Sequence, residues 1–309
     1  MPKEISLIFP GQGSQHIGML TPDLLLNYKD IVTKSSDLLS INFIELINED
    51  PNNLLNQSSF TQPAILLISY LHFLNFKNTT NLNPILMSGH SLGEYSALVA
   101  SNSIDFFETL ELVRRRGILM ESASKGSMAA IMGLEKSILE GLCTNEQNLN
   151  NSTVSCANLN SPIQIVISGT VDAVTNVCNL AKEAGAKRAI LLNVSVASHC
   201  MLMQKPAEEF NNYLNKISIC MPNTNILQNF SGEVSDSEEM IKENLINQLT
   251  GSVKWMDIMK KVKTTNSIVI ECGPGKVLQG IGRSNGLSDI LNTSAENFNS
   301  RLEELLWTK

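Results

Sequence analysis

The segment Gly89-His90-Ser91-Leu92-Gly93 constrains the fold of this chain more than any other feature. It follows a short apolar run over residues 85–88 that predicts a strand, and it precedes a helical pattern over residues 94–100. On a sharp turn from strand to helix, flanking glycines carry no side chains that would collide, so the serine hydroxyl projects outward. The N-terminus of the following helix favours a developing negative charge beside that hydroxyl. The segment therefore predicts a strand-turn-helix unit with Ser91 as a candidate nucleophile.

Other apolar runs extend this prediction to a layered α/β fold. Residues 5–9 and 268–271 read as strands, and each ends in a loop that contains glycine. Helical spacing over residues 63–76, 106–122, 202–214 and 238–249 fills the gaps between the strands. Ligands of open parallel sheets bind at the carboxyl ends of the strands, so we expect the site at that edge.

The middle of the chain follows a different order, strand-helix-strand-strand-helix-strand. The six elements are predicted over residues 128–132, 135–143, 154–157, 163–168, 171–184 and 188–194. This is the order of the split βαβ, ferredoxin-like unit. We predict a small α+β domain over residues 127–197, inserted into a large α/β catalytic domain made of residues 1–126 and 198–309.

Composition excludes several classes of protein. Of 309 residues, 43% are hydrophobic and 17% are charged, which is enough apolar material for a sizeable core and argues against disorder. The formal net charge of −7 argues against a nucleic-acid partner. The longest apolar run, over residues 64–76, is too short to cross a bilayer core of about 30 Å, so no membrane association is expected.

Cysteine and histidine usage points to a cytoplasmic protein without a metal. The N-terminus lacks the pattern of a secretion signal, and the six cysteines are scattered with no Cys-x-x-Cys pair. This usage is typical of free thiols in a reducing compartment. The four histidines lack the His-Glu-x-x-His spacing of a metalloprotease, and we expect neither metal nor cofactor.

A nucleophilic serine needs a general base, and four histidines are available. His90 adjoins Ser91 in sequence, so its side chain should diverge from the serine. His16 lies in a loop and His72 in an apolar helix, where a solvated or packed imidazole is the usual outcome. His199 follows the last strand of the insertion, where the chain returns to the large domain. His199 is therefore the candidate base, although a loop histidine is often merely solvated.

Three consecutive arginines occupy the helix predicted over residues 106–122, which Asp105 is placed to cap. At about 100° per residue they cannot all point the same way. Arg115 lies opposite the apolar face, whereas Arg116 lies at its edge and could line a pocket. A guanidinium there would bind a carboxylate through two hydrogen bonds.

Two glycine-containing loops fail as nucleotide motifs. The loop over residues 10–15 has His16 where a dinucleotide fingerprint requires glycine, and Val277 follows Lys276 where a phosphate loop requires serine or threonine. Each loop is consistent with a simple tight turn. Backbone N–H groups exposed by such a turn can also complete an oxyanion hole with the N–H after the nucleophile.

Taken together, five motifs resemble those of bacterial malonyl-CoA:acyl carrier protein transacylases in order and spacing. They are the segments over residues 9–15, 89–97, 116–117, 194–200 and 273–278, and the resemblance runs to about residue 283. It implies an α/β-hydrolase-like large domain with a ferredoxin-like insertion, in agreement with the predicted elements. It also implies that Ser91 accepts the acyl group, that His199 is its base, and that the backbone carbonyl of Gln248 orients the histidine in place of an aspartate.

The resemblance further implies how a substrate is bound. Arg116 would hold the malonyl carboxylate, and the backbone N–H groups of Gln12 and Leu92 would form the oxyanion hole, with Gln12 also contacting substrate. The reaction would pass malonate from malonyl-CoA through a Ser91 ester to the phosphopantetheine thiol of acyl carrier protein, supplying fatty-acid elongation. We expect the chain to act as a monomer.

Three alternatives stay open at this stage. A polyketide-synthase acyltransferase would use the same residues. A serine thioesterase or hydrolase would use the same turn with water in place of the thiol. A carrier-protein-binding module without catalysis would not need the serine, histidine and arginine to be intact.

Overall fold

A computed structural model describes residues 3–194 and 196–307. Ser195, which belongs to one of the motifs above, lies outside the described residues, as do positions 1–2 and 308–309 that end the predicted large domain. The nine strands of the described residues are β1 (Ile5–Phe9), β2 (Leu86–Gly89), β3 (Ser127–Met132), β4 (Val154–Ser161), β5 (Gln164–Gly169), β6 (Arg188–Leu191), β7 (Asn225–Leu227), β8 (Ile268–Glu271) and β9 (Leu291–Asn292).

The helices of the same residues are α1 (Pro22–Leu39), α2 (Phe43–Asn48), α3 (Ser58–Thr80), α4 (Gly93–Ala100), α5 (Phe106–Glu121), α6 (Lys136–Asn150), α7 (Val171–Glu183), α8 (Gln204–Leu214), α9 (Glu238–Thr250), α10 (Trp255–Thr264), α11 (Val277–Ser284) and α12 (Phe298–Trp307). A short 3₁₀ turn, Met201–Met203, leads into α8. Over the part of the chain described, none of these helices is long and apolar enough to span a membrane.

The larger sheet is parallel throughout and has the order β7-β2-β1-β8-β9. Its central strand β1 is apolar and buried on both faces: Leu7 and Phe9 pack into one apolar cluster, and Ile8 packs into another with Trp255. Helices therefore cover both faces, as a buried parallel sheet requires. The carboxyl ends of β1 and β2 lie side by side, because Phe9 pairs with Gly89.

The second sheet is antiparallel, with the order β4-β5-β3-β6. Together with α6 and α7 it gives the ferredoxin-like order that the sequence predicted. The unit has an apolar cluster of its own, which includes Ile131, Ile167 and Val174. The α/β-hydrolase-like architecture with a ferredoxin-like insertion is thus confirmed.

Strand β4 forms backbone hydrogen bonds with Val253, which lies between α9 and α10. The backbone N–H of Leu159 donates to the Val253 carbonyl at 3.0 Å, and the Val253 N–H donates to the Ala157 carbonyl at 2.8 Å. Val253 thereby forms a parallel bridge to Asn158. The antiparallel sheet is thus joined by backbone hydrogen bonds to the segment between α9 and α10, as well as by the connecting chain.

Helix α3 begins earlier than the sequence predicted, because Pro63 lies inside the helix and not at its start. Proline has no N–H to donate four residues back, so the Ser59 carbonyl loses its helical partner. The guanidinium of Arg114 donates to that carbonyl instead. Helix α5 begins as predicted, since the Asp105 carboxylate accepts from the N–H groups of Phe107 at 2.8 Å and Glu108 at 3.0 Å.

Candidate active site

Ser91 occupies a tight turn between β2 and α4. Its backbone φ of 53° lies in the left-handed region, which non-glycine residues seldom adopt. Gly93 makes this turn possible, because a Cβ there would lie 2.1 Å from the carbonyl oxygen of Phe9. Close approach to the end of β1 therefore requires glycine, and the serine hydroxyl is presented at the carboxyl edge of the sheet.

Asn229, just after β7, holds the turn in place. Its Oδ1 accepts from the Ser91 N–H at 2.6 Å, and its Nδ2 donates to the Gly89 carbonyl at 2.7 Å. Its own backbone N–H donates to Oε2 of Glu94 at 2.9 Å. Sequence analysis missed Asn229, because the strand before it has only three residues and carries no clear apolar run.

His199 lies against the serine, with its Nε2 at 2.9 Å from Ser91 Oγ. Its other ring nitrogen, Nδ1, lies 2.7 Å from the backbone carbonyl oxygen of Gln248. A carbonyl can only accept, so Nδ1 carries the proton and Nε2 is free to take one from the serine. Burial, followed by the charge of Arg116, lowers the pKa of His199 to about 3, so the ring is neutral at pH 7.

The Gln248 carbonyl is available because Gln248 lies in the last turn of α9. The last four carbonyls of a helix have no partner within the helix. The Gln248 side chain is also engaged: Nε2 donates to the Ser91 carbonyl at 3.1 Å and to Glu94 Oε2 at 2.8 Å. One residue thus contacts the turn, the histidine and a buried carboxylate.

Arg116 is 1% exposed and is held by two glutamines. Nη1 donates to Oε1 of Gln62 and Nη2 donates to Oε1 of Gln248, each at 2.9 Å. The guanidinium also lies over the Tyr95 ring, 5.5 Å from its centroid. Burial lowers the pKa of Arg116 below its ordinary value. No carboxylate of the described chain forms an ion pair with this guanidinium.

The neighbouring arginines point elsewhere. Arg114 stacks on Phe60, 4.2 Å from the ring centroid, and Arg115 is exposed beside Tyr213, 4.9 Å from that ring. Only the third of the three arginines faces the site. Helical spacing predicted that Arg115 points away and that Arg116 lines a pocket.

Gln12 and Leu92 come to the same place from two strands. Gln12 follows β1, Leu92 immediately follows the serine, and both line the cavity with Ser91. Within the described chain, neither backbone N–H is used in a hydrogen bond. The Gln12 side chain is held by Ser58, with Nε2 at 3.1 Å from the hydroxyl oxygen.

The cavity that these residues share has a volume of about 590 Å³. Ser91, His199 and Arg116 line it together with residues 192–194, which follow β6 of the antiparallel sheet. The cavity therefore lies between the two sheets, at the carboxyl ends of β1 and β2. A substrate bound in this cavity would contact a hydroxyl, an imidazole and a guanidinium.

The remaining histidines are engaged away from the serine. His90 diverges as predicted, with Nε2 at 2.8 Å from Asn160 Oδ1 and its ring edge-on to Trp255. His72 is buried in α3, and Nδ1 of His16 lies 3.1 Å from the Ser14 carbonyl oxygen. In the described part of the chain, no three metal-binding side chains come together.

The family of enzymes follows from comparison with known proteins. A family model described as acyl transferase domain matches residues 6–298, which is nearly the whole chain. The malonyl CoA-acyl carrier protein transacylase of Haemophilus influenzae is 39% identical over 287 residues, covering 90% of this chain and 91% of that protein. A polyketide biosynthesis malonyl CoA-acyl carrier protein transacylase of Bacillus subtilis is 37% identical over 280 residues, covering 90% and 95%.

Solved structures give the same result. The malonyl CoA-acyl carrier protein transacylase from Coxiella burnetii superposes with a TM-score of 0.93 at 36% identity, covering 99% of both chains. The chain belongs to the malonyl CoA-acyl carrier protein transacylase family, which confirms the resemblance seen in its motifs.

Proposed function

We propose that this protein transfers the malonyl group of malonyl-CoA to the phosphopantetheine thiol of acyl carrier protein and so supplies fatty-acid elongation. It is an acyl carrier protein S-malonyltransferase in this proposal (EC 2.3.1.39). The observation that carries the proposal is the presence in one cavity of a serine–histidine pair and a buried arginine without an ion-pair partner. The names and coverage of the relatives support it.

The first half-reaction uses the serine–histidine pair. Ser91 Oγ attacks the thioester carbonyl carbon while His199 Nε2 takes the hydroxyl proton. The Gln248 carbonyl accepts from Nδ1–H and stabilises the imidazolium that forms, as a carboxylate does in other serine enzymes. The carbon–sulfur bond then breaks, His199 returns the proton to the CoA sulfur, and malonate stays on Ser91 as an ester.

The backbone N–H groups of Gln12 and Leu92 are proposed to bind the oxyanion in both half-reactions. They come from the ends of β1 and α4, which Gly93 holds together, so the two donors are fixed before substrate arrives. Preorganised donors of this kind typically contribute a factor of about 10² to 10³ each to the rate.

Arg116 is proposed to bind the malonyl carboxylate. Gln62 and Gln248 each accept one N–H, from Nη1 and Nη2, and Arg116 is among the residues that line the cavity. An acyl group without a carboxylate would leave this buried cation unpaired, which is unfavourable. Selectivity for malonyl over acetyl follows.

The second half-reaction repeats the first in reverse. The thiol of the carrier protein's phosphopantetheine gives its proton to His199 Nε2 and attacks the ester carbonyl. Ser91 Oγ then leaves with that proton, and the malonyl thioester departs on the carrier. We propose the carrier protein as the partner that accepts the malonyl group. We also propose that the enzyme is monomeric and cytoplasmic.

The similarity to a polyketide biosynthesis transacylase favours a second candidate pathway. The chemistry would be the same, with a different carrier protein as acceptor. Transfer rates measured with the purified fatty-acid and polyketide carriers of the source organism would decide between the two.

We also propose that residues 127–197 form the small domain and residues 1–126 with 198–309 the large one. The separate apolar clusters of the two sheets support this division. Limited proteolysis should cut in the exposed segments at residues 124–125 and 193–194 before it cuts inside either sheet.

The proposal is tested by mass spectrometry after brief mixing with malonyl-CoA. The peptide containing Ser91 should gain one malonyl group, Ser91→Ala should gain none, and His199→Ala should acylate about 10² to 10⁴ times more slowly. Addition of carrier protein should move the malonyl group to the carrier. Release of free malonate at the same rate without carrier would identify a hydrolase instead.

A further inference from the structure

The Glu94 carboxylate is buried three residues after the nucleophile, and the mechanism above gives it no role. It is fully buried in the first turn of α4. Oε1 accepts from Gln228 Nε2 at 3.0 Å, and Oε2 accepts from the Asn229 N–H at 2.9 Å and from Gln248 Nε2 at 2.8 Å. Three donors satisfy a group whose burial would otherwise be unfavourable.

These contacts fix which way the Gln248 amide points. Its Nε2 donates to two acceptors, Glu94 Oε2 and the Ser91 carbonyl, so its Oε1 is left to accept from Arg116 Nη2. A guanidinium has donors only. A reversed amide would lose both acceptors and set its own N–H groups against the cation.

We propose that Glu94 is a positioning residue for substrate selectivity, because its carboxylate orients the Gln248 amide that holds Arg116 in place for the malonyl carboxylate. Glu94 is not among the described residues that line the cavity, so it acts through Gln248 and not on the substrate. The inference rests on the proposed function, since it requires Arg116 to bind that carboxylate.

The proposal predicts a change in selectivity, not only in rate. Without the acceptor at position 94, the Gln248 amide keeps only the Ser91 carbonyl at 3.1 Å as an acceptor, so it holds Arg116 less firmly. Malonyl transfer depends on the position of the guanidinium, whereas acetyl transfer makes no use of it. A general loss of folded enzyme would lower both rates equally and leave their ratio unchanged.

The experiment measures the ratio of acylation rate constants for malonyl-CoA and acetyl-CoA in purified full-length enzyme. Glu94→Met, which has no acceptor, should lower the ratio about tenfold, the usual effect of one lost hydrogen bond to a charged group. Glu94→Gln should keep the ratio within about threefold of wild type. The Asn229 N–H cannot reverse, so the new amide must turn its oxygen toward Gln248 as well.

A matched control is available in Glu271, a second buried carboxylate. It accepts from the N–H groups of Leu278 and Gln279, each at 2.9 Å, and is not among the residues that line the cavity. Glu271→Met should lower stability and leave the malonyl-to-acetyl ratio at the wild-type value. If Glu94→Met does not fold, Glu94→Asp replaces it with the same expected tenfold fall, because its carboxylate is one methylene too short to reach Gln248.

Gln248→Met tests the route independently. It removes the side-chain amide and keeps the backbone carbonyl that faces His199, so the ratio should fall about as far as in Glu94→Met. The ratio in the double variant should fall no further, since both changes remove the same support of Arg116. An unchanged ratio in either single variant, or additive losses in the double, overturns the proposal.

The result also separates this inference from the proposed function. If Arg116→Ala leaves the ratio unchanged, the assigned role of the arginine is wrong. If Arg116→Ala collapses the ratio and the Glu94 and Gln248 variants do not, only the positioning role of Glu94 is wrong.

Discussion

Arg116 and Gln62 meet across two helices, with Nη1 donating to Oε1 at 2.9 Å. The contact depends on how closely α3 and α5 pack. At Gly117 a Cβ would lie 2.5 Å from the Ser58 carbonyl oxygen, so only glycine permits this approach. Gly117 thus allows the helices to pack closely enough for Gln62 to bind Arg116.

Arg116→Ala should reduce malonyl transfer and leave acetyl transfer unchanged or improved. Losing a buried carboxylate–guanidinium pairing typically costs about 2–5 kcal/mol, or roughly 30- to several-thousand-fold in rate. Arg116→Lys should recover little, because an ammonium cannot reproduce the guanidinium fork. Steady-state kinetics with both CoA thioesters measure the effect. Arg115→Ala, at the exposed neighbouring position, is the control. A selectivity change in that variant and not in Arg116→Ala would contradict the assignment.

Gly117→Ala should both destabilise the fold and weaken selectivity. The added methyl group forces α3 away from α5, which typically costs about 1–3 kcal/mol of unfolding free energy. It also moves Gln62 away from the arginine, so malonyl transfer should fall more than acetyl transfer. Urea denaturation and kinetics on the same sample test both effects. Gly141→Ala on α6, where a Cβ meets nothing within 4 Å, is the matched control and should show neither.

Asn229→Ala should slow acylation by every thioester about equally. The side chain accepts from the Ser91 N–H and donates to the Gly89 carbonyl, so its loss leaves both groups of the turn without these partners. A donor or acceptor left without a partner typically raises the free energy of the folded turn by about 1–3 kcal/mol. Stopped-flow acylation with malonyl-CoA and acetyl-CoA should show parallel losses. A loss confined to malonyl-CoA would mean that Asn229 acts on the carboxylate and not on the turn.

Stability should fall with acid partly because of His72. Burial, followed by the charge of His16, lowers the pKa of His72 to about 4. The unfolded chain therefore binds more protons between pH 6.5 and pH 4, so the stability present above pH 6.5 is lost as pH falls through that window. Wild type should lose about 2 kcal/mol more than His72→Leu between pH 7 and pH 5, measured by urea denaturation. Equal losses in the two proteins would show that His72 does not titrate as stated.

Carrier docking should depend on basic residues on the strand that leads to the cavity. Lys187 and Arg188 are exposed at the start of β6, an edge strand that leads to the lining residues 192–194. Carrier proteins are acidic, and this chain is acidic overall, so a local basic patch has to offset the repulsion. Charge reversal at both should raise the apparent KM for carrier and leave malonyl-CoA acylation unchanged. Lys29→Glu on α1, the control, should change neither half-reaction.

The sequence predicted the fold where patterns were local. β1 and β8 were predicted to the residue, and the ferredoxin-like order was predicted from six alternating runs. Helices α1, α2, α10, α11 and α12 were not predicted, although α10 carries a local signal in the helical spacing of its buried Trp255, Ile258 and Met259. Strands β7 and β9 were missed because three and two residues are too few to show a pattern. Pro63 led to a late start for α3, since a proline usually marks the first helical turn.

The residues of the site likewise fall into those with a local sequence signal and those without one. Ser91, Arg116 and His199 carry signals in their own surroundings: a glycine turn, a helical phase and a return from an insertion. Asn229 and Gln62 carry none, because an amide that supports a turn or a guanidinium has no characteristic neighbours. Such residues become visible only when folding brings together positions as far apart as 91 and 229.

The backbone bridge between β4 and Val253 affects how the enzyme exchanges its ligands. A cleft that opened like a clamshell would have to break both amide hydrogen bonds each time a thioester entered. We therefore expect the walls around Ser91 to stay in place, so that CoA and the carrier's phosphopantetheine use the same cavity in turn. Under this arrangement each donor must leave before an acceptor can enter, and the enzyme alternates between two chemical forms, free and acylated, with one unchanging shape.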